Sequence, residues 1–131
     1  MTLVDELKHD HQQLFRMMDE VKKVGIGNAE GRKMLLNAKR SLLQHLSQED
    51  RRLYPVLQKA AQSDPRVKRL YDSFASEMSE ISRQALQFFD RDWEQQGGLD
   101  FARDFGRLYA TLHQRMHREE TILYAEFQKI A

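Results

Sequence analysis

Cysteine is absent from the 131 residues, and that one absence closes several chemistries together. There is no disulfide to form, no thiolate nucleophile and no zinc–thiolate site, which leaves His, Asp, Glu and Tyr to hold any metal. A charge of one sign is lacking too. The 21 Lys and Arg stand against 20 Asp and Glu, and no basic block lies apart from neighbouring acids, so no nucleic-acid footprint is expected. Long apolar runs are missing: no stretch has the length of a membrane span, and the chain is charged from Asp5 onward with no apolar leader. The expectation is a soluble, cytoplasmic protein with neither membrane nor nucleic acid as partner. No Ser/His/Asp or Cys/His pattern occurs, and Gly25-x-Gly27 ends a helix rather than cradling a phosphate. With no substrate pocket specified either, the sequence argues against an enzyme.

Helix breakers are scarce, with two prolines and six glycines, and they fall where helices should change. Val4, Leu7, Leu14, Met18 and Val21 recur at the helical period. Gly25-Ile26-Gly27-Asn28 ends that helix, and Asn28 caps the next. A second helix carries Leu35, Ala38, Leu42 and Leu53 to about Gln62, with a kink or break near Tyr54 because Pro55 lies inside it. Asp64-Pro65 starts a third, which turns Val67, Leu70, Phe74, Ile81, Ala85 and Phe88 inward. Gly97-Gly98 closes it, and Asp100 opens a fourth with Phe101, Phe105, Leu108, Leu112 and Leu123. Short connections between long amphipathic helices make this an all-α, antiparallel up-down-up-down four-helix bundle. Residues 1–131 form a single domain on this reading.

Inside that frame the stretch LLQHLSQEDRRLYPVL, residues 42–57, poses a problem. His45 and Glu49 share the stripe that Leu42, Leu53 and Val56 mark as inward, and an unpartnered polar group in a core costs several kcal/mol, roughly 2–7. Laying this stretch over TLHQRMHREETILYAEF, with Leu53-Tyr54 on Leu123-Tyr124, puts Leu42 on Leu112, Glu49 on Glu119, Asp50 on Glu120 and His45 on Arg115. More weakly, Asp10-His11 with Leu14 lies over Glu77-Met78 with Ile81. The halves are therefore copies, filled by His11, His45 and Glu49 in one and by Met78, Arg115 and Glu119 in the other. Residues i and i+4 stack on one helical face, and His11 sits on its own apolar stripe. Two imidazoles and a carboxylate converging from adjacent helices suit iron, manganese or zinc; the plainer alternative is two buried histidines paired with Glu49.

The pattern D-H-x-x-L on the first helix with H-x-x-x-E-(E/D)-x-x-L-Y-P on the second, the latter running from His45 to Pro55, resembles the hemerythrin-like, or HHE cation-binding, family. The likeness spans essentially the whole chain. It implies two carboxylate-bridged irons, and roles in binding oxygen, in sensing oxygen, nitric oxide or iron, or in handling iron. By resemblance His11, His45, Glu49 and Glu119 are one iron's ligands together with the bridging acids. The other iron's histidines are missing, since the family places them near Met78 and where Arg115 stands. Arginine keeps its proton and offers five donors, so one iron is expected rather than two.

Two readings follow. In the first, the protein binds iron through His11, His45, Glu49 and Glu119 and serves as a sensor or binding module for a small diatomic or anionic ligand, with Arg115 as resident charge. In the second, metal is lost, Glu49, Arg115 and Glu119 form a buried ion network, and function passes to a protein partner or homodimer. His113 and His117 stand as alternative ligands, yet with Glu120 and Tyr124 they fall roughly 80–140° off the inward stripe at ~100° per residue, unless a π-bulge rotates them. His9 is off-phase and exposed. Tyr54 and Tyr124 pack at the bundle's end rather than bind metal, although tyrosine can coordinate ferric iron; Met17, Met18, Met34, Met78 and Met116 fill core; and Phe88-Phe89 with Trp93 read as core plus one rim aromatic, ahead of an exposed apolar edge or dimer contact.

Overall fold

The structure is a computed structural model in which residues 2–93 and 98–131 are described. Helix α1 (Leu3–Val24) opens on a capping box in which Thr2 and Asp5 each satisfy the other's backbone N–H. It ends at Gly25, whose φ of +76° is open to glycine at no steric cost. The turn back is tight enough that a Cβ on Gly31 would lie 1.6 Å from the Gly25 carbonyl oxygen. Asn28 caps α2 (Ala29–Gln48) by accepting from the Gly31 N–H at 2.8 Å. Asp64 caps α4 (Pro65–Phe89) by accepting from the N–H groups of Arg66 and Val67. The second rod runs α2, a π-turn at Glu49–Leu53, then α3 (Tyr54–Ala61). The fourth repeats it as α5 (Gly98–Arg118), a π-turn at Glu119–Leu123, and α6 (Tyr124–Ile130).

Four rods thus pack as an antiparallel bundle, with no strand among the described residues. The third rod stops earlier than the glycines suggest: α4 ends at Phe89 with Asp90 as its cap. Gly98 begins α5 two residues ahead of Asp100, and Gly97 lies outside the described residues. The break expected at Tyr54 is a π-turn, closed by the Tyr54 N–H donating to the Glu49 carbonyl. Proline is not its whole cause. The partner π-turn, closed by the Tyr124 N–H on the Glu119 carbonyl, occurs where Ala125 replaces proline.

Each π-turn shifts the helical phase. Beyond the first, Leu57 rather than Val56 is fully buried. The core consequently divides in two. One cluster around Leu14, Met18, Leu42, Ile81, Phe88 and Leu112 fills the end near the α1–α2 turn. The other, around Leu7, Leu53, Leu57, Phe74, Leu123 and Phe127, fills the opposite end. Between them lies a buried polar belt of His11, His45, Glu49, Arg115 and Glu119. Trp93 belongs to the first cluster and forms no exposed edge. It is 6 % exposed, its Nε1–H donates to the Phe88 carbonyl at 2.9 Å, and its ring meets that of Phe101 at 5.0 Å. Among the described residues no helix is long and apolar enough to cross a membrane.

Candidate metal centre

His11 projects from the middle of α1, His45 from the last turn of α2, and Glu49 and Glu119 from the first residue of each π-turn. All four are buried, with at most 2 % of their surface exposed. His11 Nδ1 lies 2.7 Å from Glu120 Oε2 and His45 Nδ1 lies 3.2 Å from Asp10 Oδ2. An ionised carboxylate can only accept, so each Nδ1 carries a hydrogen. In a neutral imidazole that leaves Nε2 as a bare lone pair. The two Nε2 atoms face each other at 3.0 Å, with Glu119 Oε1 at 3.1 Å from the first and 3.8 Å from the second. Lone pairs at this distance need positive charge between them, either a proton or a metal ion.

Glu49 completes the cluster. Its Oε2 accepts from the Tyr124 hydroxyl at 2.8 Å. Its Oε1 is buried with no hydrogen-bond partner among the described residues, 3.4 Å from His45 Nε2. An orphaned, buried carboxylate oxygen costs about 1–3 kcal/mol or more, and this one lies beside His45 Nε2, next to the tighter group that His45 forms with His11 and Glu119. Donor atoms of His11, His45 and Glu119 all lie within 4.8 Å of one another. Two donors each ~2.1 Å from one ion and at right angles stand ~3 Å apart, so the spacing suits a single cation. Nitrogen and carboxylate donors without sulfur suit iron, manganese or zinc. Asp10 and Glu120 fix the imidazole tautomers as a second layer around such a site.

The electrostatics respond to this crowding. Burial opposes a proton on His45, but hydrogen bonds to Asp10 and Glu119 and the charges of Glu49 and Glu119 outweigh it, pushing His45 up to about 10. Burial and the Glu119 charge push Glu49 up to about 8. Burial acts the same way on Glu119, yet its bonds to His11 and His45 and the nearby Arg115 hold it well below the usual carboxylate range. The Tyr124 phenol is driven up by burial and by the charges of Glu119 and Glu49.

Arg115 occupies the other half of the belt, 2 % exposed. Its Nε donates to Glu119 Oε2 at 3.0 Å, its Nη1 to Glu77 Oε1 at 3.0 Å, and its Nη2 to the Tyr54 hydroxyl at 2.9 Å and the Phe74 carbonyl at 3.0 Å. The guanidinium carbon sits 4.6 Å over the Phe74 ring. The network foreseen between Glu49, Arg115 and Glu119 is therefore redrawn. Arg115 reaches Glu119 and Glu77, while Glu49 joins through Tyr124 and His45. Met78 is half-buried beside a groove lined by Asp50, Tyr54 and Tyr71, and Glu77 rather than Met78 faces the guanidinium. The repeat still shows: Asp10 holds His45 as Glu77 holds Arg115.

His113 and His117 stay at the surface. His113 stacks on Tyr109 with ring centres 6.3 Å apart, and meets Phe15 edge-on. The π-turn does rotate residues inward, but it begins at Glu119, after both histidines, so the residue it carries to the centre is Tyr124. Tyr124, Glu120, Asp10 and Glu77 are the site residues that helical phase missed. Tyr124, like Tyr54, packs in the core cluster at the end away from the α1–α2 turn, but it also reaches back toward the polar residues. Its hydroxyl lies at the centre of the belt, 3.1 Å from both His11 Nε2 and Glu119 Oε1. The usable signal was the repeat itself, since Glu49-to-Tyr54 and Glu119-to-Tyr124 share one spacing beside a kink predicted at Pro55.

Residues 2–127 match the family model for the hemerythrin HHE cation binding domain. No curated protein and no solved structure matches the chain.

Proposed function

Since the chain belongs to the hemerythrin HHE cation-binding domain family, we propose that it holds one iron ion through His11, His45, Glu49 and Glu119. On this reading it acts as a binding or sensing module for a small ligand such as dioxygen or nitric oxide, and not as an enzyme. The observation that carries the proposal is the facing pair of imidazole Nε2 atoms at 3.0 Å beside the orphaned Glu49 oxygen. Iron in such a site supplies exchangeable coordination positions and a one-electron couple. The chain's own groups do the rest. Asp10 and Glu120 orient the imidazoles through Nδ1, and the buried leucines on either side exclude water. Arg115 holds Glu119 Oε2 turned away from the imidazoles and places a fixed positive charge where a second cation would sit.

A second reading has its own supporting observation. Arg115 makes four hydrogen bonds within the belt, and a proton on His45 can replace a metal ion between the acids, so a metal-free regulator acting through a protein partner would also hold together. Metal content of untagged protein separates the two. About one equivalent of iron is expected, falling to near zero in His45→Ala. Metal-free wild-type protein, or unchanged metal in the variant, would defeat the iron reading.

A further inference from the structure

Tyr124 is fully buried, and its hydroxyl oxygen lies among the donor atoms rather than behind them. Glu49 Oε2 is 2.8 Å away, Glu119 Oε1 3.1 Å and His11 Nε2 3.1 Å. A phenol has one hydrogen to give. Donated to Glu49, it leaves the oxygen's lone pairs against a second carboxylate and a bare imidazole nitrogen. Its repeat counterpart is placed otherwise: the Tyr54 hydroxyl accepts from Arg115 Nη2 at 2.9 Å. An oxygen already turned on a guanidinium is the poorer partner for a metal ion, because the two cations repel.

We propose that Tyr124 is itself a ligand, a phenolate that adapts this centre to a trivalent metal ion, ferric iron above all. The inference rests on the cation-binding reading and extends it. Charge supports it. His11 and His45 bind as neutral imidazoles, Glu49 and Glu119 bring two negative charges, and a phenolate brings a third. Arg115 is shared between Glu119 and Glu77, and Glu77 in turn with Arg118. Counting the ligands alone, a divalent ion is neutralised with Tyr124 still protonated, and a trivalent ion once the phenol has lost its proton. Phenolate and carboxylate are hard oxygen donors of the kind ferric iron prefers. In the step itself the Tyr124 O–H bond breaks, the oxygen–metal bond forms and one proton passes to solvent. No electron moves, because the iron is supplied already oxidised.

The test uses metal-free wild-type protein, Tyr124→Phe and Tyr54→Phe, each given ferric nitrilotriacetate and then desalted. Bound iron is counted, visible absorption is recorded, and resonance Raman is excited within the band. Wild type and Tyr54→Phe should show a phenolate-to-iron charge-transfer band with tyrosinate ring modes. Tyr124→Phe should lose the band and at least tenfold in ferric affinity, while binding zinc(II) like wild type, which also reports its fold. Iron bound by wild type without the band, or a band surviving in Tyr124→Phe, overturns this inference and leaves the iron reading standing. Failure of wild type to bind iron overturns both. Wild type and Tyr54→Phe decide the matter even where Tyr124→Phe does not fold.

Discussion

Replacing Arg115 by Ala removes the charge that anchors half of the polar belt, and its cost can be built contact by contact. The bond to Glu77 counts for little. That carboxylate is a third exposed and keeps Arg118 at 2.7 Å, so its loss is worth ~0–1 kcal/mol. Glu119 is different. At 1 % exposure it loses the donor on Oε2, and breaking a buried pair from one side costs about 3–5 kcal/mol. The Phe74 carbonyl loses its side-chain donor, and its ring loses a cation at 4.6 Å. The sum for metal-free protein is about 4 kcal/mol, which for a chain of this size is a fall of about 12–16 °C in Tm. A bound cation supplies part of what Glu119 has lost, so the penalty with metal should shrink to about 2 kcal/mol, the scale of orphaned hydrogen-bonding groups. Urea unfolding followed by far-UV circular dichroism, in chelator and again with one equivalent of zinc(II), measures both. A metal-free loss below about 1 kcal/mol would show that Glu119 does not depend on the guanidinium. Equal losses with and without metal would show that the cation and Arg115 do not share that carboxylate.

Asp10→Ala and Glu120→Ala, which leave all proposed ligands in place but free the imidazole Nδ1 atoms, should each weaken zinc(II) binding about 10–100-fold by competition titration; unchanged affinity would refute their orienting role. For metal-free protein the pH dependence has a definite sign. His45 is raised from 6.5 to about 10, so its contribution is complete below pH 6.5 and disappears as pH climbs to 10. Glu49, raised from 4.5 to about 8, acts in the same direction: the benefit of its proton is full below pH 4.5 and gone above 8. The urea midpoint should therefore be lower at pH 9 than at pH 6, with the difference diminished in His45→Gln, and a midpoint that rises toward pH 9 would contradict this.

The four rods, the caps at Asn28 and Asp64, and the meeting of His11, His45, Glu49, Arg115 and Glu119 in one belt were legible from period and repeat. Each rests on local chemistry or on phase counted within an unbroken α-helix. What escaped lies past a change of phase or off the apolar stripe. Tyr124 is five residues beyond Glu119, a rotation of roughly 140° in an α-helix at ~100° per residue, and only the π-turn returns it to the centre. Asp10 and Glu120 sit one position from His11 and Glu119 and touch the imidazoles from the solvent side, where polar residues are ordinary. Trp93 is core rather than an exposed edge because the third helix stops at Phe89, and the chain then folds the indole back under Phe88. Glu77 was missed for the same reason as Asp10, its counterpart in the repeat: it lies one position off the inward stripe yet reaches the charged group on the neighbouring rod.

Each π-turn amounts to one surplus amino acid wound into a rod, at the same level in both halves. The geometry of the belt therefore hangs on how that surplus residue is wound as much as on side-chain identity. Wound as plain α-helix at its present length, either rod would turn Tyr54 or Tyr124 roughly 140° from its glutamate and out of the belt. Deleting a single exposed residue, Arg51 or Thr121, would instead set the tyrosine four residues beyond the glutamate, ~40° away at ~100° per residue, so that a rod without the bulge could keep it in place. Two halves that carry the same surplus residue stay in step with each other, which leaves one free to hold an imidazole where the other holds a guanidinium.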